Sequence, residues 1–145
     1  MRVSEGAPFA PEVAFRVVQV ERVVYDFTSA TALVTLREAE GERRSLTLPL
    51  AVPDATALHQ ALHHTVGRRP LTSELVVSIL QETHADVIAA RVVRVRDGVY
   101  VGELDLMTPR GRRVFDCRPS DAMTLALRQV VPAPLLVAED LLARD

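Results

Sequence analysis

The chain has 145 residues, 48% hydrophobic and 25% charged, a balance typical of a globular domain with one core. Its net charge of −2 excludes binding to nucleic acid through bulk positive charge, but leaves a local basic patch open. The single cysteine, Cys117, excludes an internal disulfide, so we expect a cytoplasmic protein. No apolar run is long enough to cross a membrane, and the first residues lack the apolar segment of a signal peptide.

The side chains available for binding are unusual in one respect. All 17 basic residues are arginine, whose planar guanidinium suits two-point contacts to carboxylates or phosphates. The absence of lysine excludes a lysine nucleophile or base. Two tyrosines, four phenylalanines and no tryptophan provide few rings on which unpaired bases could stack.

The beginning of the chain predicts an N-terminal extension over residues 1–12 and a single domain over residues 13–145. Within the domain, segments rich in β-branched residues predict strands at 13–25, 32–36 and 45–50.

Two helices are expected next. Asp54 is a candidate N-cap of the first, whose apolar stripe would be Ala55, Leu58, Leu62 and Val66. Residues 67–70 (GRRP) end that helix, and Thr72 or Ser73 can cap a second one. The inward positions of the second helix would be Leu75, Val76, Ile79 and Leu80.

The clearest local signal is a hairpin. Residues 87–96 and 99–107 alternate as strands do and are separated by Asp97-Gly98, the dipeptide favoured in a two-residue type I′ turn. A strand ending near Asp116 and a helix over residues 120–130 follow, and the chain closes with a short apolar strand and a helical turn. Runs of strands with helices between them predict an α+β fold: a single compact domain with a mixed or largely antiparallel sheet and three to four helices.

The hairpin register predicts which charged residues meet. Pairing Arg96 with Val99 places Arg94 opposite Val101 and Val92 opposite Glu103. A four-residue turn at 108–111 then pairs Glu103 with Asp116.

This register puts Glu103, Asp105 and Asp116 on one face of the sheet, and Leu104 and Leu106 on the core side. Like charges across a ladder destabilise it, so they need a counterion. Arg94 or a divalent metal ion can supply one, and an ordinary salt-bridge lattice on a solvated face is the simpler alternative.

The stretch FDCRPSDAMTLALR, residues 115–128, combines carboxylates and arginines at the start of a strongly apolar helix. Ser120 as N-cap and Asp121 in the first turn are explained by helix capping. Capping does not explain Asp116, Arg118 and Arg128, which indicate either a site or an ion-pair lock.

Two other candidates are weak. His59, His63 and His64 lack a carboxylate one turn away, which favours a structural or surface role. Cys117 is a poor nucleophile, because the neighbouring Asp116 raises the pKa of a thiol.

The segment DCRPSDAMTLALR closely resembles the signature of the bifunctional nuclease family, named for DNase and RNase activity. RRPLTSEL and the hairpin RVRDGVYVGELDL resemble two further segments of that family, in the same order. The resemblance covers roughly residues 13–142 and implies a compact α+β domain with metal-dependent nuclease activity on DNA or RNA.

Carried over position by position, the resemblance implies site residues in three groups. The catalytic group would be Asp116, Asp121, Arg118 and Arg128. The substrate-binding group would be Arg69, Thr72, Ser120 and Arg94. The ligands of a Mg²⁺ or Mn²⁺ ion would be Asp116, Asp121, Glu103 and Glu74.

The chain departs from the family pattern at two places. Ser73-Glu74 replaces a His-Asp pair, which removes a histidine that could act as base or ligand, and Asp54-Ala55 replaces Glu-Ala, which keeps a carboxylate. The alternative is a non-catalytic, homo-oligomeric binding or regulatory module. In that module Arg118 would bridge Asp116 and Asp121 as a structural lock.

Overall fold

The computed structural model describes residues 2–5 and 13–145. Within those residues one sheet of eight strands carries three α-helices, which confirms the predicted α+β class. The strands are β1 (Val3–Glu5), β2 (Phe15–Asp26), β3 (Thr31–Glu38), β4 (Ser45–Ala51), β5 (Asp86–Arg96), β6 (Val99–Thr108), β7 (Gly111–Cys117) and β8 (Leu135–Ala138). The helices are α1 (Val52–Leu62), α2 (Thr72–Glu82) and α3 (Pro119–Leu127), followed near the C-terminus by a 3₁₀ turn, Glu139–Leu141.

The sheet is mixed, as predicted. Its strand order is β1-β7-β6-β5-β8-β2-β3-β4, and neighbours are antiparallel except for the parallel pair β5 and β8. Part of the predicted extension belongs to the sheet, because β1 pairs with β7 at the edge. Residues 1 and 6–12 of that extension lie outside the described residues.

The predicted β5–β6 hairpin is confirmed. Arg96 pairs with Val99, and both turn residues have positive φ, 52° at Asp97 and 77° at Gly98. A type I′ turn requires this backbone conformation at its two central residues.

The register further along the hairpin differs from the expectation. A bulge between Val92 and Arg94 shifts the pairing, so that Arg91 lies opposite Glu103 and Val92 lies opposite Gly102. The predicted pairing of Val92 with Glu103 is therefore wrong. The pairing of Glu103 with Asp116 across β6 and β7 is confirmed.

Arg91 and Arg112, and not Arg94, supply the positive charge beside Glu103 and Asp105. Arg91 donates from Nη1 to Asp105 over 2.9 Å and from Nε to Glu103 over 3.4 Å, while Arg112 Nε donates to Asp105 over 2.9 Å. Burial alone would raise the pKa of Asp105, but the hydrogen bonds from Arg112 and Arg91 outweigh it and lower that pKa. Arg94 is exposed, so its predicted role as counterion to Glu103 is wrong.

The core lies between the helices and one face of the sheet. Helix α3 packs on β5 and β6 and contacts both other helices, and it is largely buried, as predicted. Its Met123 joins Leu36, Leu48 and Leu58, each at most 2% exposed. Burying one such side chain contributes about 1.5–3 kcal/mol to stability.

The starts of α1 and α2 differ from the predictions. Helix α1 begins at Val52, and its Pro53 has a fixed φ suited to a first turn, so Asp54 lies inside the helix and does not cap it. Leu71 occupies the N-cap position of α2 in place of Thr72 or Ser73. The Glu74 side chain supplies the cap by accepting the N–H of Leu71 over 3.0 Å.

The expected inward stripes also need correction. Val66 is 75% exposed and lies beyond the end of α1. On α2, Leu75 and Ile79 are 54% and 52% exposed, and Val77 is the buried residue. Leu75 and Ile79 therefore face solvent, whereas Val76 and Leu80 line a cavity beside the helix.

Candidate functional site

The corner between β7 and α3 positions the site. Strand β7 ends at Cys117, Arg118 is extended at the N-cap position, and Pro119 opens the helix. Ser120 is therefore in the first turn and is not the N-cap, so that prediction is wrong. Asp121 lies in the first turn, as predicted, where a carboxylate interacts favourably with the helix dipole.

Arg118 joins this corner to α1. Its Nε and Nη2 donate to the two carboxylate oxygens of Asp121 over 2.8 and 2.9 Å, and its Nη1 donates to Asp54 over 2.9 Å. The Asp121 hydrogen bonds raise the pKa of Arg118, and the carboxylate of Asp54 adds to this. We call Arg118, Asp54 and Asp121 the arginine trio; two carboxylates and one guanidinium leave it with one net negative charge.

A groove of about 490 Å³ opens beside the trio, between α1, α2, α3 and the sheet. This apolar groove has a floor of apolar side chains and a rim of polar ones. The floor includes Val76, Leu80, Leu104, Leu106, Phe115, Ala122 and Leu125. The rim includes Asp54, Thr72, Ser73, Arg118, Ser120, Asp121 and Thr124. An apolar cavity of this size with a few converging polar groups is the usual form of a ligand site.

A second cavity lies on the other side of Arg118. This hairpin hollow, of about 260 Å³, is bounded by the end of β4 and by the β5–β6 turn. Its lining includes Pro49, Leu50, Gly98, Val99 and Tyr100, together with Asp54, Arg118 and Ser120.

Gly102 allows the corner to lie close to the sheet. A Cβ atom at Gly102 would come within 2.8 Å of both Cα and N of Pro119, closer than such atoms can approach. The glycine on β6 therefore determines where α3 starts and where Arg118 leaves the sheet.

The four residues predicted to hold a metal ion do not meet at one place. Side chains alternate along a strand, so Glu103 and Asp116 project from the face opposite to Leu104, Phe115 and the groove. Glu74 caps α2 by accepting the N–H groups of Leu71 and Gly67. Within residues 2–5 and 13–145, no group of three or more His, Cys, Asp or Glu side chains could share a metal ion.

The remaining predicted residues divide between the groove and other places. Thr72 and Ser120 line the groove. Arg69 is exposed in the loop before α2, and Arg94 is exposed on β5. Arg128 donates from Nη1 to the carbonyl of Thr65, so it ties the end of α3 to the loop between α1 and α2.

Cys117 lines the groove, and its surroundings make it a poor nucleophile. Burial raises the pKa of its thiol to about 12, and the carboxylates of Asp121 and Asp116 add to the shift. The raised pKa agrees with the prediction that Cys117 is a poor nucleophile, although burial is its main cause. His59, His63 and His64 are all exposed on or just after α1, in agreement with a surface role.

Asp54 is the site residue that the sequence missed. Its position before an apolar stripe indicated a cap, whereas the structure makes it the partner of Arg118, 64 residues later in the chain. The resemblance held the available signal, because Asp54-Ala55 keeps a carboxylate at the position where the family pattern has Glu-Ala.

The fold and the site define a single α+β domain with an arginine–carboxylate corner at the mouth of an apolar groove. The family model of the bifunctional nuclease domain matches residues 34–145, well over half of the chain. The chain therefore belongs to the bifunctional nuclease domain family, as the resemblance implied. A search of curated proteins found no match. None of the helices in the described part of the chain is long and apolar enough to cross a membrane.

Proposed function

We propose that this chain hydrolyses phosphodiester bonds of DNA or RNA at the mouth of the apolar groove. The observation that carries the proposal is the arginine trio, which places one guanidinium and two carboxylates beside a ligand-sized cavity. The family of residues 34–145 supports a nuclease-related function.

The trio has the groups that such a reaction needs. Water attacks phosphorus, a P–O ester bond breaks, and the leaving oxygen takes up a proton. The carboxylate of Asp121 accepts the proton of the attacking water and returns it to the leaving oxygen. Arg118, with hydroxyl donors from Thr72 and Ser120 on the same rim, offsets the charge that develops on the phosphate oxygens.

In the resting arrangement Arg118 is already bound to carboxylates. A phosphate therefore competes with Asp54 and Asp121 for its N–H groups. The Arg118 side chain is 62% exposed, against 26% for Asp54, so it has room to turn toward a ligand at the groove mouth.

Dependence on Mg²⁺ or Mn²⁺ stays a prediction. Asp54 and Asp121 are the carboxylates on the groove rim, but Arg118 occupies both oxygens of Asp121 and one of Asp54. In this arrangement they do not fit a shared ion, and no step of the reaction is assigned to one. A cytoplasmic location and a homo-oligomeric state stay predictions as well.

A second candidate is a non-catalytic binding or regulatory module. The observation in its favour is that Arg118 bridges Asp121 on α3 and Asp54 on α1, as a lock would do, although with Asp54 in place of the predicted Asp116. The exposed Leu75 and Ile79 on α2 suit a protein partner or a second copy of this chain.

Cleavage of labelled oligonucleotides separates the two functions. Purified protein is incubated with single-stranded DNA, duplex DNA and RNA, each in EDTA, Mg²⁺ or Mn²⁺, beside Arg118→Gln. The nuclease predicts cleavage that Arg118→Gln lowers by roughly 100-fold or more, as removal of a charge-stabilising donor does. Absence of cleavage under every condition, with a folded protein, supports the binding module.

A further inference from the structure

Arg118 stands between two cavities. The apolar groove and the hairpin hollow have Asp54, Arg118 and Ser120 in common, so these three residues form the wall that separates them. A ligand bound at Arg118 therefore has space on both sides, about 490 Å³ on one and about 260 Å³ on the other.

Each cavity is lined by an aromatic ring. Phe115 of β7 lies in the groove and Tyr100 of β6 lies in the hollow. The chain has only two tyrosines and four phenylalanines, so a ring on each side of one arginine is a specific arrangement. Aromatic rings are the side chains on which unstacked nucleobases rest.

We propose that the groove and the hollow are two nucleotide subsites flanking Arg118, one base resting against Phe115 and the next against Tyr100. The inference rests on the proposed function and extends it. The phosphate that joins the two nucleotides lies at Arg118, so the bond that is cut is internal to a strand. A dinucleotide is then the smallest ligand that fills the site.

Binding without cleavage tests the subsites. Affinities for thymidylyl-(3′→5′)-thymidine, uridylyl-(3′→5′)-uridine and thymidine 5′-monophosphate are measured by NMR titration in EDTA. At least one dinucleotide is expected to bind about fivefold or more tighter than the mononucleotide, because a second base is stacked. Equal affinity for dinucleotides and mononucleotide overturns the inference.

Variants of the two rings identify the subsites. Tyr100→Leu is expected to weaken dinucleotide binding about fivefold or more, whereas Tyr100→Phe keeps the ring and the affinity. Phe27→Leu, an exposed ring at the end of β2, is the matched control and leaves affinity unchanged. Melting temperatures show that each variant is folded. Unchanged binding in Tyr100→Leu, or a loss in Tyr100→Phe, overturns the stacking assignment.

The two proposals fail in different ways. Dinucleotide binding that depends on Tyr100, in a protein that cleaves nothing, supports the subsites and overturns the nuclease. Cleavage that depends on Arg118, with Tyr100→Leu behaving as wild type, supports the nuclease and overturns the subsites.

Discussion

Arg118 at the start of α3 donates a hydrogen bond to Asp54 in the first turn of α1 over 2.9 Å. The two residues are 64 positions apart in the chain. Together with Asp121 they connect two helices at the mouth of a groove, which makes Asp54 a positioning residue for the arginine.

Asp54→Ala should lower nuclease activity more than stability. The ion pair is largely exposed on its arginine side, and such pairs contribute only about 0.2–1 kcal/mol to folding. A displaced Arg118 should cost roughly tenfold to hundredfold in kcat/KM. Cleavage kinetics and thermal melting measure the two effects. Asp54→Glu, which keeps the carboxylate, is the control and should retain most activity; equal loss in both variants contradicts the role of charge.

Arg118→Ala should make the protein respond to divalent cations. Removing the guanidinium leaves the carboxylates of Asp54 and Asp121 without their shared counterion, and oxygen-binding Mg²⁺ or Mn²⁺ can replace it. Added Mn²⁺ should therefore raise the melting temperature of Arg118→Ala more than that of the wild type. Arg94→Ala, at an exposed arginine with no ion pair in the described part of the chain, is the control. An identical response in all three proteins would count against a cation site at the trio.

Gly102→Ala should displace the corner that carries Arg118. The added Cβ would lie 2.8 Å from Pro119 backbone atoms, and overpacking of this kind destabilises by about 1–3 kcal/mol. The free energy of unfolding, measured in urea, and the cleavage activity should both fall. Gly98→Asn is the comparison, because no atom lies within 4 Å of a Cβ there and asparagine tolerates positive φ. A Gly102→Ala protein as stable and active as Gly98→Asn would contradict the close approach.

Glu38→Gln tests the ion cluster at the far end of the sheet. Hydrogen bonds from Arg44, and then from Arg16, overcome burial and lower the pKa of Glu38 from 4.5 to about 2. Because the pKa of Glu38 is lower in the folded protein than in the unfolded one, its ion pairs contribute fully to stability above the pKa of the unfolded state. That contribution is lost as pH falls through the pKa of the folded state.

The stability advantage of the wild type over Glu38→Gln should accordingly be constant above pH 4.5 and shrink between pH 4.5 and pH 2. Denaturant unfolding at a series of pH values measures it, with the exposed Glu42→Gln as control. An advantage that does not change with pH would show that the interaction is not ionic.

Local patterns predicted much of this fold, and long-range pairings account for the rest. The Asp97-Gly98 turn and the pairing of Glu103 with Asp116 follow from turn chemistry and alternation. The bulge near Val92 has no strong local signature in the sequence. Because it shifts the register, Arg91 and not Arg94 lies opposite Glu103 and binds it.

The site shows the same limit. Asp121 and Arg118 are three residues apart, and their proximity could be predicted from the sequence. The contact with Asp54 depends on how α1 packs against α3, which local periodicity does not contain. The resemblance implied one shared site for Asp116 and Asp121. Asp116 projects from the face of β7 opposite to the groove, whereas Asp121 lies on α3 at the groove rim, so the fold separates their side chains.

The most direct test compares Asp121→Asn with Asp116→Asn in cleavage of single-stranded DNA and RNA with Mg²⁺ or Mn²⁺. The same substitution is made on the two faces of the sheet, once in the arginine trio and once away from the groove. We expect cleavage by the wild type, near-complete loss in Asp121→Asn and nearly full activity in Asp116→Asn. Loss in Asp116→Asn with retained activity in Asp121→Asn would place the chemistry on the opposite face of the sheet and overturn the assignment to the arginine trio.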